Sequence, residues 1–355
     1  MSVSKVRPYA LVLAAAGFFG ASFPLSKLLL RDLGPIGLAG LLYLGSGLGV
    51  GALRLLLPGR ATRREATLKK SDLGWLSAVI LSGGVAGPIL LLLGLSRTSA
   101  HVSALLTNTE TLFTMTLAVA FFGDFLVRRE LLGAAAIFVG ATLVAWAGAG
   151  QGGKGSWEGP LLLLGAGLAW GLDNNFSQRI SAKDPLQIAS VKGMVAGVVN
   201  LTLATMTEGL PRLSPAVLTS AMVVGFVCYG LSVVLFMVAL RHLGAARTSA
   251  LFATAPGIAI ALSWAFLGEV PSLWTAAGAL LMVPGAWFLI RVEHSHRHVH
   301  EAVRHEHRHV HDEHHRHEHQ GDEGPEPHSH PHEHERLEHE HPHVADLHHR
   351  HLHPH

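Results

Sequence analysis

Two sets of residues in this chain have the types and spacing to do chemistry. The larger set is histidine. HSHRHVH (294–300), HEHRHVH (305–311), HSHPHEH (328–334), HEHPH (339–343) and HRHLHPH (349–355) repeat His at i,i+2. Imidazole is mostly neutral at pH 7, which leaves a ring nitrogen free for a metal. The candidate ligands are His294, His296, His298, His300, His305, His307, His309, His311, His314, His315, His317, His319, His328, His330, His332 and His334. Nitrogen ligation without thiolates does not choose among Zn²⁺, Ni²⁺, Co²⁺ and Cu²⁺.

The smaller set lies in apolar surroundings. Glu110 stands in TNTET (107–111), Asp173, Asn174 and Asn175 in GLDNNFSQ (171–178), and Lys192 and Asn200 one helix further on. An ionisable group deep in an apolar span costs about 3 kcal/mol on insertion scales and marks function by default. Asp173 and Lys192 share a depth on consecutive segments, so the sequence predicts a salt bridge that either fixes helix register or takes part in function. Glu110 has no ionic partner in sequence. Two readings stay open for it: a proton-coupling carboxylate, or a protonated Glu bonded to Thr109, Thr111 or a neighbouring helix. Asn174, Asn175 and Asn200 are candidates for a polar cavity lining. His101 and His242 read as ordinary interfacial and loop histidines.

These residues must be held by something, and composition says what. Of 355 residues, 49% are hydrophobic and only 15% charged, against about a quarter charged in soluble domains. The formal charge of +2 hides an asymmetry. Residues 293–355 hold 24 of the 26 His and carry 6 Arg against 14 acidic groups, or −8. Residues 1–292 carry 21 basic against 11 acidic groups, or +10. The single Cys228 excludes a disulfide within one chain.

A bilayer core of about 30 Å takes about 20 apolar residues. Segments of that kind fall at about 9–29, 35–57, 73–95, 99–122, 131–149, 159–180, 186–207, 214–240, 245–267 and 271–291. In lipid, runs this long must satisfy their backbone internally, as helices. The first span is read as retained rather than as a signal peptide, because a counterpart recurs later. The basic loop GRATRREATLKK (59–70), with Arg128 and Arg129, goes to the cytoplasm by the positive-inside rule. Both termini and the His-rich tail then lie inside. From 293 onward too little apolar surface remains to offset chain entropy, so the tail is expected to be disordered.

Shifting the chain by 145 residues aligns spans four and five with nine and ten. Leu106, Thr109, Phe121 and Gly123 fall on Leu251, Thr254, Phe266 and Gly268, and Asp124 falls on Glu269. Gly133 and Gly140 fall on Gly278 and Gly285, a spacing suited to close helix packing. FGASFPLSK (19–27) faces WGLDNNFSQ (170–178). An odd number of spans per copy turns the second copy over, an architecture common among secondary transporters. Pro24, Pro88, Pro256 and Pro284 interrupt spans as kinks or gates.

AFFGDFLVRRELLGAAAIFVGATLVA (120–145) and AFLGEVPSLWTAAGALLMVPGAWFL (265–289) resemble the repeat endings of EamA-type members of the drug/metabolite transporter superfamily. The resemblance covers about 1–292. It implies an all-α integral membrane protein of ten transmembrane helices in two inverted five-helix repeats, 1–150 and 151–292. It also implies a cell (inner) membrane location, cytoplasmic termini and alternating access for a small solute. Residues 293–355 form a separate tail.

Three functions compete. The first is a secondary transporter of a small organic solute, with a tail that senses or stores metal. The second is a transporter of a transition metal or its chelate. The third is a metal buffer or sensor that the membrane part merely anchors. Within the spans no His or carboxylate pair recurs at i,i+3 or i,i+4, which places a metal substrate second. Ten spans exceed what anchoring needs. No nucleophile elbow, phosphate loop or paired catalytic carboxylates point to an enzyme, and the membrane part requires no cofactor. Basic residues confined to loops beside the spans argue against nucleic acid. The expected partners are the bilayer, a small-molecule substrate and transition metal ions.

Overall fold

The computed structural model describes residues 3–56, 66–122, 128–149, 156–181, 183–209, 214–243 and 245–290, with 294–300, 304–309, 328–333 and 337–343 of the tail. Most of the basic loop 59–70, Asp124, and His311, His314, His315, His317, His319 and His334 lie outside the described residues. So do the side chains of the other tail histidines.

The membrane part is built from helices. They are α1 (Val3–Leu29), α2 (Pro35–Leu56), α3 (Lys70–Arg97), α4 (Ala100–Thr107), α5 (Thr109–Phe122), α6 (Arg128–Ala149), α7 (Glu158–Ser177) and α8 (Pro185–Thr207). Next comes α9, in three pieces: Pro215–Val224, a π-turn Gly225–Leu231 and Ser232–Leu243. The last are α10 (Ala245–Phe252), α11 (Ala255–Leu267) and α12 (Leu273–Ile290).

Among the described residues, seven stretches are long and apolar enough to cross a membrane: 7–29, 35–56, 70–97, 100–121, 128–149, 185–207 and 215–239. The sequence predicts ten. At 20 residues α7 is long enough, but Glu158, Asp173, Asn174 and Asn175 lower its apolarity. The last two are the shorter apolar helices 255–267 and 273–288. Large apolar side chains stand on the outside of the bundle, among them Phe138 at 64% and Leu280 at 75% exposure. A water-facing surface would not carry so much apolar area.

Two local features recur 145 residues apart. The fourth span, expected as one helix, is broken between α4 and α5, and the ninth between α10 and α11. At both breaks a threonine hydroxyl donates to the carbonyl three residues back: Thr109 to Leu106 at 2.6 Å, Thr254 to Leu251 at 2.7 Å. Such side-chain bonds compete with the helix ladder. The other recurrence is a π-turn, Ile80–Ala86 within α3 and Gly225–Leu231 within α9.

The two copies meet along glycine seams. A Cβ at Gly140 would lie 2.7 Å from the Gly278 carbonyl, and one at Gly285 would lie 2.9 Å from that of Gly133. The contacts run in opposite order along α6 and α12, so these equivalent helices are antiparallel. Gly47 and Gly193 meet likewise between α2 and α8. Both ends of that pair are clamped. At one end Arg54 meets Asp184 at 2.8 Å. At the other, Glu208 accepts from the N–H groups of Ile36 and Gly37 at 2.8 and 2.9 Å. The end with Arg54, Lys183 and Arg179 is called the basic end, and the opposite one the far end.

Four segments of the tail pair as short strands among the described residues. Residues 294–300 (β1) pair antiparallel with 337–343 (β4), and 304–309 (β2) with 328–333 (β3). Alternation of His with other residues has the period of a strand. Two-stranded ribbons are marginal by themselves in water.

Candidate functional site

The six polar residues singled out from sequence gather around α7, in two groups rather than one. Asn174 donates from Nδ2 to Glu110 Oε1 at 2.7 Å and to Thr114 Oγ1 at 3.1 Å. Asn175 donates to the carbonyls of Thr114 and Gly171 at 3.0 and 2.8 Å. The partner of Glu110 is thus on a neighbouring helix. Thr109 is spent on Leu106, not on the carboxylate. Glu110 stands in the first turn of α5, directly after the break that interrupts the span.

The second group is the ion pair. Lys192 Nζ lies 2.5 Å from Asp173 Oδ2, with the two side chains 18% and 11% exposed. The carboxylate rests on Gly83 in the π-turn of α3, where any Cβ would collide with it. A π-turn displaces carbonyls from the regular ladder, and here they take side-chain donors. The Gly83 carbonyl accepts from the Tyr43 hydroxyl at 2.7 Å and from Trp170 Nε1 at 3.2 Å. The Gly84 carbonyl accepts from Asn200 Nδ2 at 3.0 Å. Asn200 therefore belongs with the π-turn and does not join Asn174 and Asn175. Asp173 Oδ1 and Asn200 Oδ1 are buried without a hydrogen-bond partner.

Sequence reasoning missed Tyr43, Trp170, Thr114 and the Gly83–Gly84 turn. The adjacent glycines in LSGGVAG (81–87) were the available signal, since a paired Gly inside an apolar helix asks for a packing reason. Beside the polar groups runs an aromatic chain. Tyr43 faces Tyr229 at 6.1 Å between centroids, Tyr229 faces Phe19 at 6.3 Å, and Phe19 faces Phe252 at 5.6 Å. Among the described residues no three metal-ligating side chains converge.

Apolar spans around a buried carboxylate–ammonium pair define a multi-pass membrane protein with a polar centre. The chain belongs to the EamA-like transporter family, whose model matches residues 6–146 and 157–291, one stretch per copy. It is 27% identical over 299 residues to an uncharacterized transporter of Methanothermobacter thermautotrophicus, covering 79% of this chain and 85% of the other. It is 24% identical over 285 residues to the uncharacterized transporter YyaM of Bacillus subtilis, covering 78% and 91%. One solved crystal structure shares the fold, with a TM-score of 0.56 at 16% identity over 79% of this chain and 96% of that one. Family and relatives point to a transporter rather than an enzyme, in a cell membrane.

Proposed function

We propose that this protein is a secondary transporter that moves a small organic solute by alternating access. In this reading ten helices span the bilayer, the second copy is turned over relative to the first, and both termini are cytoplasmic. The observation that carries it is the buried polar centre, Glu110–Asn174 and Asp173–Lys192, held where helices of the two copies meet. A carboxylate and an ion pair in an apolar bundle are too costly to keep for packing alone. The antiparallel seams of α6 with α12 and α2 with α8 support the inversion. The basic residues at one end support the orientation.

The tail binds divalent transition metals in this reading. Its strand register sets His294, His296 and His298 opposite His343, His341 and His339, and His305, His307 and His309 opposite His332, His330 and His328. Histidines three deep on each strand and paired across it offer several ligands per ion. The ion is a signal or store, and the solute is what crosses.

Reconstituted proteoliposomes test this. Uptake of candidate amines, amino acids and nucleobases is measured beside Ni²⁺, Zn²⁺ and Co²⁺, with the full chain and a version ending at Arg291. Organic uptake that survives truncation is expected. Metal uptake that survives truncation would replace the organic solute with a metal substrate.

A further inference from the structure

At the far end a histidine–carboxylate contact ties the two copies together. Gly268 closes α11 in the left-handed conformation, at φ 67°, and hands the chain directly to Glu269. Glu269 Oε2 accepts from the Ala100 N–H at 2.8 Å and lies 3.1 Å from His101 Nδ1. The first turn of α4 has unpaired N–H donors and positive dipole character. Its cap is therefore supplied by the other copy. His101 is buried, at 1% exposure, and its Nε2 faces Ser99 Oγ at 3.2 Å. It was expected to be an ordinary interfacial histidine. The α3–α4 corner is held from two further sides. Lys27 of α1 donates to the carbonyls of Leu95 and Thr98 at 2.5 and 2.6 Å, and Arg97 meets Glu158 of α7 at 3.0 Å.

The imidazole is not repeated at the equivalent position of the second copy. The residue 145 positions after His101 is Ala246, and the histidine of the corresponding corner, His242, stands instead at the position of Arg97. We propose that His101 and Glu269 form a latch that must release for the far end to open, and that protonation of His101 tightens it. The proposal rests on the alternating-access reading given above. Sealing falls to this pair because it alone, among the described far-end contacts, joins a titratable imidazole on one copy to a carboxylate on the other. The charged groups around it are Glu269 itself, Lys27, Arg97 with its partner Glu158, and, further off, Glu208 at the C-terminal end of α8. A protonated His101 gains a charge-assisted bond to Glu269 in the closed form and loses it in the open form. A proton added at the imidazole therefore favours closure.

Pulsed electron–electron distance measurement tests it in the full chain. Spin labels go on S96C and L273C, both exposed, in a Cys228→Ser background, with the protein in lipid nanodiscs. The long-distance population is expected to rise about tenfold in Glu269→Ala, the ratio matching one hydrogen bond to a charged group. Glu269→Gln, which keeps an acceptor for Ala100, should rise less. Acidification from pH 8 to pH 5.5 should shrink that population in the parent and leave it unmoved in His101→Gln. A cap that is only structural would not produce this pH response. Unchanged distances in Glu269→Ala, with thermal unfolding intact, would overturn the latch. So would an equal pH response in His101→Gln. Organic uptake by the same preparations separates the two readings. Uptake with static distances removes the latch alone, and moving distances without uptake of any solute remove the transport reading.

Discussion

Two quasi-equivalent helix contacts carry the same backbone packing and opposite chemistry. In one, α7 lies on α5: a Cβ at Gly171 would meet Phe113 Cβ at 2.9 Å and Thr114 N at 3.0 Å. In the other, α1 lies on α11: a Cβ at Gly20 would meet Ile258 Cβ and Ala259 N, each at 3.2 Å. Gly20 corresponds to Gly171, and Ile258 and Ala259 to Phe113 and Thr114, so the seams bring equivalent residues together, with Gly20 pressed in addition on the Ala255 carbonyl, 2.6 Å from where its Cβ would be. Yet Glu110, Thr114 and Asn174 on the polar seam face their counterparts Ala255, Ala259 and Phe23 on the apolar one. Small residues set how closely helices approach. What is presented beside them is free to differ. Duplication accounts for the scaffold, and divergence at a few positions makes one half polar and the other apolar and aromatic.

The comparison is broken most severely by removing one member of the ion pair. Asp173→Asn strands the Lys192 ammonium in the bundle and should cost about 3–5 kcal/mol, read as a loss of thermal stability in detergent or lipid. Asp173→Asn with Lys192→Gln should recover much of it. If the single and double variants are equally stable, the pair carries no mutual energy.

Next come the glycines that both seams share. Gly171→Val and Gly20→Val should each cost about 1–3 kcal/mol through overpacking. Similar losses by chemical denaturation would sharpen the equivalence, and a large difference would break it. Imposing the apolar seam on the polar one is a test of chemistry rather than packing. Glu110→Ala with Thr114→Ala and Asn174→Phe should leave a folded, monodisperse protein that has lost uptake in proteoliposomes. Retained uptake would move the solute site away from Glu110.

A smaller effect is expected at the π-turn. Tyr43→Phe removes the hydroxyl from the Gly83 carbonyl but leaves Trp170 on it, for about 1 kcal/mol. The smallest falls on the partly exposed pair at the far end: Glu158→Gln should change stability by less than about 1 kcal/mol.

Much of this was legible before any coordinates. The 145-residue offset aligned Thr109 with Thr254, although the helix breaks beside them were not foreseen, and the shared depth of Asp173 and Lys192 paired those two. The residues Glu110 would meet were not legible, because Asn174 lies 64 positions away and only the crossing of α5 and α7 brings it near. The π-turns were invisible for another reason: an extra residue in one turn leaves the apolar pattern almost unchanged. His101 was misjudged because sequence shows its place near a span end but not the carboxylate 168 positions later that buries it.

The sequence by itself determined a membrane protein in two copies, with its charges segregated between loops and a histidine tail. That follows because hydropathy and repetition are local properties, readable one segment at a time. Only the tertiary structure decided which polar groups share a site, and that one of two equivalent seams carries a carboxylate. It also placed the capping carboxylate of α4 on the other copy. Those are consequences of helices crossing at fixed distances, and contacts of that range are set by packing across the bundle rather than by neighbours in the chain.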